Sequence, residues 1–217
     1  MKVIVTAAGR GSRWSNFRGT QKHLAIVNNE TLIHRTIGQF TPHSNDLVVI
    51  ARDSFNIPAK VEAPLDGQWN DAAKLWSSNH LWSTTERNII AFGDVWFSEK
   101  AVDTITSNTD PIQFFMRTGP SKITKKPYKE IFAIAFDGEK TEFVRNVLKQ
   151  VIDENKSGAG AYLLFMKLNN LDQVPYRHHF DDKKSFVEVD DFTDDFDHPI
   201  DLIRWEKRFK VRRKIEQ

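Results

Sequence analysis

Short apolar runs alternate with segments of helical periodicity along the first half of the chain. Three apolar runs predict buried strands at residues 3–7, 47–51 and 88–92. Apolar residues that recur at helical spacing predict helices at residues 32–40, 71–82 and 99–105. Because strands and helices alternate, we expect an α/β fold.

The pattern changes in the second half. Two strands, predicted at residues 112–116 and 131–136, are separated by a loop over residues 117–128 that is rich in Lys, Gly and Pro. Further elements are predicted as helices at 140–155 and 161–171, a short strand at 186–189, and a last helix that begins near Pro199 with Asp197 as its N-cap. Because no repeat or linker divides the chain, we expect one domain over residues 1–217.

The composition is that of a folded chain and excludes several classes of partner and chemistry. Of 217 residues, 40% are hydrophobic, which is enough for a sizeable core, and the formal net charge is only +2. A charge this small does not favour nucleic acid as a partner. The absence of cysteine excludes disulfides and thiol catalysis. No apolar stretch reaches the roughly 18 residues of a membrane span, so we expect a cytoplasmic protein without a membrane partner.

A run of small residues follows the first predicted strand and indicates phosphate binding. Backbone N–H groups of such a loop can approach a phosphate closely, and an arginine at its end adds a charged fork. A dinucleotide fingerprint would need a third glycine where Trp14 stands, and the Gly-Lys-Ser/Thr of a P-loop is absent. The candidate phosphate-binding residues are Ala7, Ala8, Gly9, Gly11, Ser12 and Arg13.

Carboxylates and one lysine extend this picture. Asp94 follows the strand at 88–92 through Gly93, so its carboxylate is expected at the carboxyl edge of the sheet, where ligands bind in open α/β folds. Oxygen ligands of this kind suit Mg²⁺. Lys22 carries a compact charge suited to a triphosphate. The acidic stretch "VEVDDFTDDFD" near the C-terminal end is a second source of carboxylates.

Taken together, the strand, the A-A-G-x-G-x-R loop and the Lys-x-Leu that precedes a helix beginning Leu-Ile resemble the nucleotidyltransferase family. That family includes sugar-1-phosphate and phosphocholine nucleotidylyltransferases and the enzymes that make molybdopterin dinucleotides. The resemblance implies a Rossmann-like domain of GT-A type with a mixed, mostly parallel sheet. It also implies a nucleotide-binding half over about residues 1–108 and an acceptor-binding half over about residues 109–217.

The activity implied by the resemblance is Mg²⁺-dependent transfer of a nucleoside monophosphate from a nucleoside triphosphate to a phosphorylated small-molecule acceptor, with release of pyrophosphate. Catalytic roles then fall on Arg13, Lys22 and Asp94, and Asp94 is also a metal ligand. The second metal ligand is Asp190 in one register of the acidic stretch and Asp197 in the other. We favour Asp190 slightly, because it directly follows a predicted strand.

Other residues carry weaker signals. Gln68 and Asn70 stand where the family has a loop near the base, although both residue types are equally common in loops and helix caps. Arg117 and Glu130 are candidate contacts to the acceptor phosphate region, and a solvated loop is the alternative. The chain also departs from the family pattern, with Gln21 in place of a proline before Lys22.

Two other functions remain as alternatives. A metal-dependent GT-A glycosyltransferase would share the fold, but its mid-chain Asp-x-Asp is absent because Asp94 is followed by Val95 and Trp96. A non-catalytic nucleotide-binding domain is favoured only by Gln21. The sequence does not specify the base, the acceptor or the oligomeric state, and a homo-oligomer remains among the alternatives.

Overall fold

The computed structural model describes residues 1–9, 11–53, 55–65, 75–127, 129–154, 160–171 and 186–213. Its strands are β1 (Lys2–Thr6), β2 (Ile26–Val27), β3 (Glu30–Thr31), β4 (Asp46–Ile50), β5 (Lys60–Glu62), β6 (Asn88–Phe92), β7 (Val95–Trp96), β8 (Ile112–Arg117), β9 (Glu130–Phe136), β10 (Phe186–Glu188) and β11 (Asp194–Asp195). Its longer helices are α1 (Leu32–Phe40), α2 (Glu99–Ser107), α3 (Thr141–Glu154), α4 (Gly160–Leu168) and α5 (Pro199–Arg213).

Seven strands form one mixed sheet in the order β10-β8-β9-β6-β1-β4-β5. β1 lies inside the sheet and pairs in parallel with both β4 and β6, whereas β9 is antiparallel to its neighbours β6 and β8. The expected mixed, mostly parallel sheet is confirmed. After β1 the chain builds outward to β4 and β5 and then returns to the other side at β6. The crevice between β1 and β6 is therefore the switch point at which open α/β sheets bind ligands.

Alternating side chains of the central strand enter two different cores. Val3 and Val5 belong to the core that contains the apolar faces of α1 and α2, and Ile4 belongs to the core beneath α3 and α4. Both cores are closed because each helix presents its apolar stripe to the sheet. The result is a layer of helices on either face of the sheet, which leaves its carboxyl edge free for a site.

Local capping explains why the helices begin where the sequence predicts. The Thr31 hydroxyl accepts a hydrogen bond from the His34 N–H at the start of α1, and Ser98 caps α2 through the Ala101 N–H. The last helix begins at Pro199, as predicted, but Asp197 is not its cap. Instead, the carboxylate of Asp201 accepts from the His198 N–H and closes the first turn.

The remaining differences concern short elements and unequal boundaries. The strands of the pairs β2–β3 and β7–β11 are each only two residues long, so no periodic sequence pattern predicts them. The helix predicted at residues 71–82 is described from Leu75 onward, where it gives way to a 3-10 turn at Asn79–Leu81. Among the described helices, none combines the length and the apolar character that crossing a membrane requires.

Candidate active site

The glycine loop, defined here as residues 7–9 and 11–13, leaves β1 at the switch point. Gly11 has a φ of 59°, a left-handed conformation that favours glycine. The Trp14 N–H donates to the Gly11 carbonyl at 2.8 Å, and the buried Trp14 ring donates through Nε1 to the Thr20 carbonyl at 3.1 Å. With Trp14 anchored inside, the neighbouring Arg13 side chain stays more than half exposed and reaches Asp197.

Two carboxylates and two cations meet beside this loop. Lys22 Nζ donates to Asp94 Oδ2 at 2.5 Å and to Asp197 Oδ1 at 3.4 Å, and Arg13 Nη1 lies 3.1 Å from Asp197 Oδ2. Burial alone would lower the pKa of Lys22, but the charges of Asp94 and Asp197 outweigh it and raise that pKa. Lys22 is therefore charged, and it bridges the two carboxylates.

Pairing of β7 with β11 is what brings Asp94 and Asp197 together. Val95 is in register with Asp195, and the Phe196 N–H donates to the Asp94 carbonyl at 3.0 Å. Each carboxylate thus projects from the backbone directly beside this short ladder. Of the two registers that the sequence allows, the structure brings Asp197 to the glycine loop.

A buried lysine stabilises the turn that carries Asp197. Lys126 Nζ contacts the Asp195 carboxylate, lies 3.2 Å from the Asp195 carbonyl and lies 3.1 Å from Asp201 Oδ2. Burial opposes the charge of Lys126, but these carboxylates raise its pKa above the usual value. The ammonium therefore links β11 to the first turn of α5, on either side of Asp197.

His23, which directly follows Lys22, contacts Gly93, which directly precedes Asp94. The buried His23 ring donates from Nδ1 to the Gly93 carbonyl at 3.1 Å, and burial lowers the pKa of this imidazole. A Cβ on Gly93 would lie 2.9 Å from the Thr6 carbonyl, so only glycine lets β6 leave the sheet this close to β1. This close approach fixes the backbone position of Gly93 and therefore that of Asp94, the next residue.

A cavity of about 850 Å³ extends from the glycine loop across the carboxyl edge of the sheet. Its volume lies within the roughly 300–1,000 Å³ typical of small-molecule sites. Its lining includes Gly9, Gly11, Ser12, Arg13, Lys22 and Asp94. Lys129, Glu130 and Tyr162 also line the cavity, close to the start of α4. Burial, followed by the charge of Asp195, raises the pKa of Glu130 well above its usual value.

Several predicted site residues lie elsewhere. Asp190 is exposed and pairs with Lys122 at 2.5 Å, away from the residues that line the cavity. Arg117, expected in a solvated or acceptor-binding loop, is buried and paired with Asp194 at 2.7 Å. Ala7 is buried in the core with β1, whereas Ala8 lines the cavity. Gln68 and Asn70 lie outside the described residues.

The sequence assigned no role in the site to several residues that line the cavity or lie beside it. Asp195 and His23 line the cavity, and the buried carboxylate of Asp195 pairs with Lys126. The "TKKP" stretch carried a signal for Lys126 only in its basic composition, which is equally typical of a solvated loop. Tyr162 carried no signal, because it stands in an apolar helical run that is typical of a core.

The residues fit a magnesium ion that binds together with a nucleotide. Within the described ranges, no group of three or more acidic or histidine side chains is arranged to hold a metal by itself. Magnesium bound with nucleotides usually takes one or two protein carboxylates and completes its shell with phosphates and water. Asp94 and Asp197, which share the positive charge of Lys22, are a donor set of this kind.

Comparison with known proteins identifies the fold but not the substrate. No protein-family model and no curated protein sequence matches the chain. The inositol-1-phosphate CTP transferase of T. maritima superposes with a TM-score of 0.62 at 14% identity, over 100% of this chain and 96% of that one. The CTP:phosphocholine cytidylyltransferase of Streptococcus pneumoniae gives 0.58 at 13% identity, over 96% and 98% of the two chains. The chain has the nucleotidyltransferase fold.

A third similar structure broadens the range of bases. The molybdopterin-guanine dinucleotide biosynthesis protein A of Archaeoglobus fulgidus superposes with a TM-score of 0.55 at 16% identity, over 97% of this chain and 100% of that one. The names of these proteins include cytidine and guanine nucleotides and different acceptors. The shared fold therefore does not choose a base or an acceptor for this chain.

Proposed function

We propose that this protein transfers a nucleoside monophosphate from a nucleoside triphosphate to a phosphorylated small-molecule acceptor and releases pyrophosphate. The observation that carries the proposal is the meeting of the glycine loop, Arg13 and Lys22 with Asp94 and Asp197 in one large cavity. Backbone amides, two cations and two carboxylates supply what a triphosphate and its metal require. The fold shared with nucleotidyltransferases supports the same reaction class.

In the proposed reaction, an oxygen of the acceptor phosphate attacks the α-phosphorus of the triphosphate. A new P–O bond forms there, the bond from the α-phosphorus to the α,β-bridging oxygen breaks, and pyrophosphate leaves with that electron pair. The acceptor phosphate is already an anion at neutral pH, so no side chain has to remove a proton from it. Catalysis then depends on positioning and on neutralising negative charge.

Each cation has a position that suits one part of this task. Arg13 lines the cavity at the end of the glycine loop, where its guanidinium can bind the β- and γ-phosphates and balance the charge of the leaving pyrophosphate. Lys22 lies deeper, next to Asp94, where its ammonium suits the α-phosphate and the incoming acceptor. Amides around Gly9 and Gly11 would hold the remaining phosphate oxygens.

Asp94 and Asp197 would hold Mg²⁺. When bound, the ion supplies positive charge to the reacting phosphate oxygens. With the metal held by these two carboxylates, the Lys22 ammonium would be available to the phosphates. The acceptor is assigned to the part of the cavity that Lys129, Glu130 and Tyr162 line, where Glu130 and Tyr162 can form hydrogen bonds and Lys129 adds positive charge.

Calorimetric titration with each nucleoside triphosphate, in Mg²⁺ and in EDTA, tests the nucleotide half of the proposal. We expect one triphosphate to bind in Mg²⁺, and the affinity to fall in EDTA and in Asp94→Asn. Asp190→Asn is the matched control, since it removes one carboxylate charge from the same protein outside the cavity. That variant should bind as wild type does.

Pyrophosphate release tests the chemistry. With the triphosphate that binds, a panel of sugar-1-phosphates and phospho-alcohols should contain an acceptor that gives pyrophosphate and the corresponding nucleotide conjugate in equal amounts. Binding of a nucleoside-diphosphate sugar, with sugar transfer and no pyrophosphate, would establish the glycosyltransferase alternative. Triphosphate binding without turnover across the panel would instead support a non-catalytic domain.

A further inference from the structure

The segment that presents Lys22 is held on both sides by one connection, the chain between β4 and β5. Gln21, directly before Lys22, donates from Nε2 to Asp53 Oδ2 at 2.8 Å. His23, directly after it, packs its ring against Phe55, with centroids 6.3 Å apart. Lys22 therefore stands between two residues that both contact the same connection.

The same connection also contacts the glycine loop. Arg52 Nε donates to the Ala8 carbonyl at 3.0 Å. Phe55 is buried in the core beside the sheet, which gives the connection a fixed base. Two segments would bind the triphosphate: the glycine loop and the segment around Lys22. Arg52 and Asp53 attach both of them to the β4–β5 connection, which does not itself contact the triphosphate in our assignment.

The hydrogen bond from Gln21 to Asp53 lies at the start of a tight backbone turn that presents Lys22. Gln21 has φ −71° and ψ 153°, and the 3-10 turn Lys22–Leu24 follows at once. The Leu24 N–H donates to the Gln21 carbonyl at 3.0 Å, and the Ala25 N–H donates to the Lys22 carbonyl at 3.1 Å. Rotation at Gln21 would open this turn and displace the Lys22 side chain. The side-chain bond to Asp53 opposes that rotation.

We propose that Asp53 is a positioning residue for Lys22, acting through Gln21, and that this hydrogen bond does the work of a fixed backbone angle. A proline ring holds φ near −65°, close to the angle that Gln21 adopts. Thr20, with φ −135° and ψ 157°, has the extended conformation that the residue before a proline needs. The Gln21 N–H makes no hydrogen bond to any described residue, so a proline would remove none of those. The role in catalysis rests on the proposed function, whereas the structural restraint does not.

Amide hydrogen exchange at Leu24 and Ala25 tests the restraint without reference to activity. Asp53→Ala and Gln21→Ala should each speed exchange at these two amides by about 3- to 10-fold, the range expected for the net contribution of one ordinary hydrogen bond, because both groups are exposed and water screens the charge of Asp53. The double variant should show no further increase, because both changes remove the same bond. Asn56→Ala, an exposed substitution in the same connection, is the control and should leave exchange unchanged.

Rescue by proline separates positioning from a general loss of stability. Gln21→Pro in the Asp53→Ala background should restore slow exchange at Leu24 and Ala25, and should restore kcat/KM by the same factor that Asp53→Ala loses. Exchange that stays at the wild-type rate in Asp53→Ala, or additive effects in the double variant, would overturn the proposal. Predicted exchange and rescue in a protein that binds no triphosphate would leave the restraint standing and refute the proposed function alone.

Discussion

Lys22 Nζ donates to Asp94 Oδ2 at 2.5 Å, although 72 residues separate the two along the chain. The same ammonium reaches Asp197, so one lysine pairs with both carboxylates that we assign to the metal. Lys22 and Mg²⁺ cannot share these oxygens without strong repulsion between like charges. In the function that we propose, the nucleotide would resolve this competition, because its phosphates would bind both Lys22 and the metal.

Lys22→Met should therefore separate metal binding from nucleotide binding. Without the competing ammonium, the affinity for Mg²⁺ in the absence of nucleotide should rise by about tenfold, equivalent to about 1.4 kcal/mol. Affinity for the triphosphate should fall, because a phosphate partner is lost. Calorimetry with Mg²⁺ alone and with the triphosphate measures both. Weaker binding of Mg²⁺ alone in this variant would show that Lys22 and the metal do not compete for these carboxylates.

Asp197 and Asp190 make a matched pair for testing which carboxylate of the acidic stretch acts. Asp197→Asn should lower kcat/KM by about 100-fold or more, about 2.7 kcal/mol, because a carboxylate that we propose as a metal ligand is replaced by a neutral amide. Asp190→Asn should change kcat/KM by less than about twofold, since its exposed pair with Lys122 contributes little. Steady-state rates at saturating and limiting Mg²⁺ decide the matter, and the reverse ranking of the two variants would restore Asp190 as the ligand.

Gly93 allows a close approach that stability measurements can detect. In Gly93→Ala the new Cβ would lie 2.9 Å from the Thr6 carbonyl and 3.3 Å from Ala7 Cβ, so we expect a loss of about 1–3 kcal/mol in the free energy of unfolding. Gly38→Ala in α1 is the control. It meets nothing within 4 Å and should stabilise the protein by about 0.5–1 kcal/mol. Urea unfolding of both variants gives the comparison, and equal effects would exclude the contact at Gly93 as the cause.

The sequence predicts the elements that local signals define. β6 is recovered at both ends because an apolar run stops at Gly93, and α1 is recovered because its apolar spacing follows a capping threonine. The glycine loop and Asp94 are predictable for the same reason: each directly follows a buried strand. Their roles in binding remain predictions.

Long-range pairing is what local patterns do not contain. The β7–β11 ladder joins two dipeptides with no periodicity, so the choice between Asp190 and Asp197 cannot be made from residues near either one. The burial of Arg117 also depends on a long-range partner. Its partner Asp194 is 77 residues away, and without that partner a buried guanidinium cannot be distinguished from a solvated one.

Arg117 should now affect stability and not acceptor binding. Arg117→Met leaves the buried Asp194 carboxylate without its guanidinium, and breaking such a pair costs about 3–5 kcal/mol. The two hydroxyls of Ser121 and Thr124 that also donate to Asp194 would offset only part of this loss. Urea unfolding measures the change, and the KM for the acceptor should stay at the wild-type value under conditions where the variant is folded. A raised KM for the acceptor with unchanged stability would contradict this prediction and support a role for Arg117 in acceptor binding.

The raised pKa of Glu130 predicts how the free energy of unfolding depends on pH. Burial and the nearby Asp195 carboxylate raise the pKa of Glu130 well above its ordinary 4.5, so the folded protein holds a proton that the unfolded chain releases. Stability is therefore fully present below pH 4.5 and falls as the pH rises toward the folded pKa, by up to about 1.4 kcal/mol per pH unit. Glu130→Gln keeps a neutral side chain at every pH and should make this fall less steep.

Urea unfolding between pH 5 and pH 8 measures the slope for Glu130. Exposed Glu139→Gln is the control, since this carboxylate lies at the surface beside Lys140. We expect Glu130→Gln to be more stable than wild type at pH 8 and close to it at pH 5, because ionisation of a partly buried carboxyl is avoided only in the variant. A slope in Glu130→Gln as steep as in wild type would place the retained proton elsewhere. Asp195, whose pKa burial and Asp197 raise to about 7, would be the next group to replace.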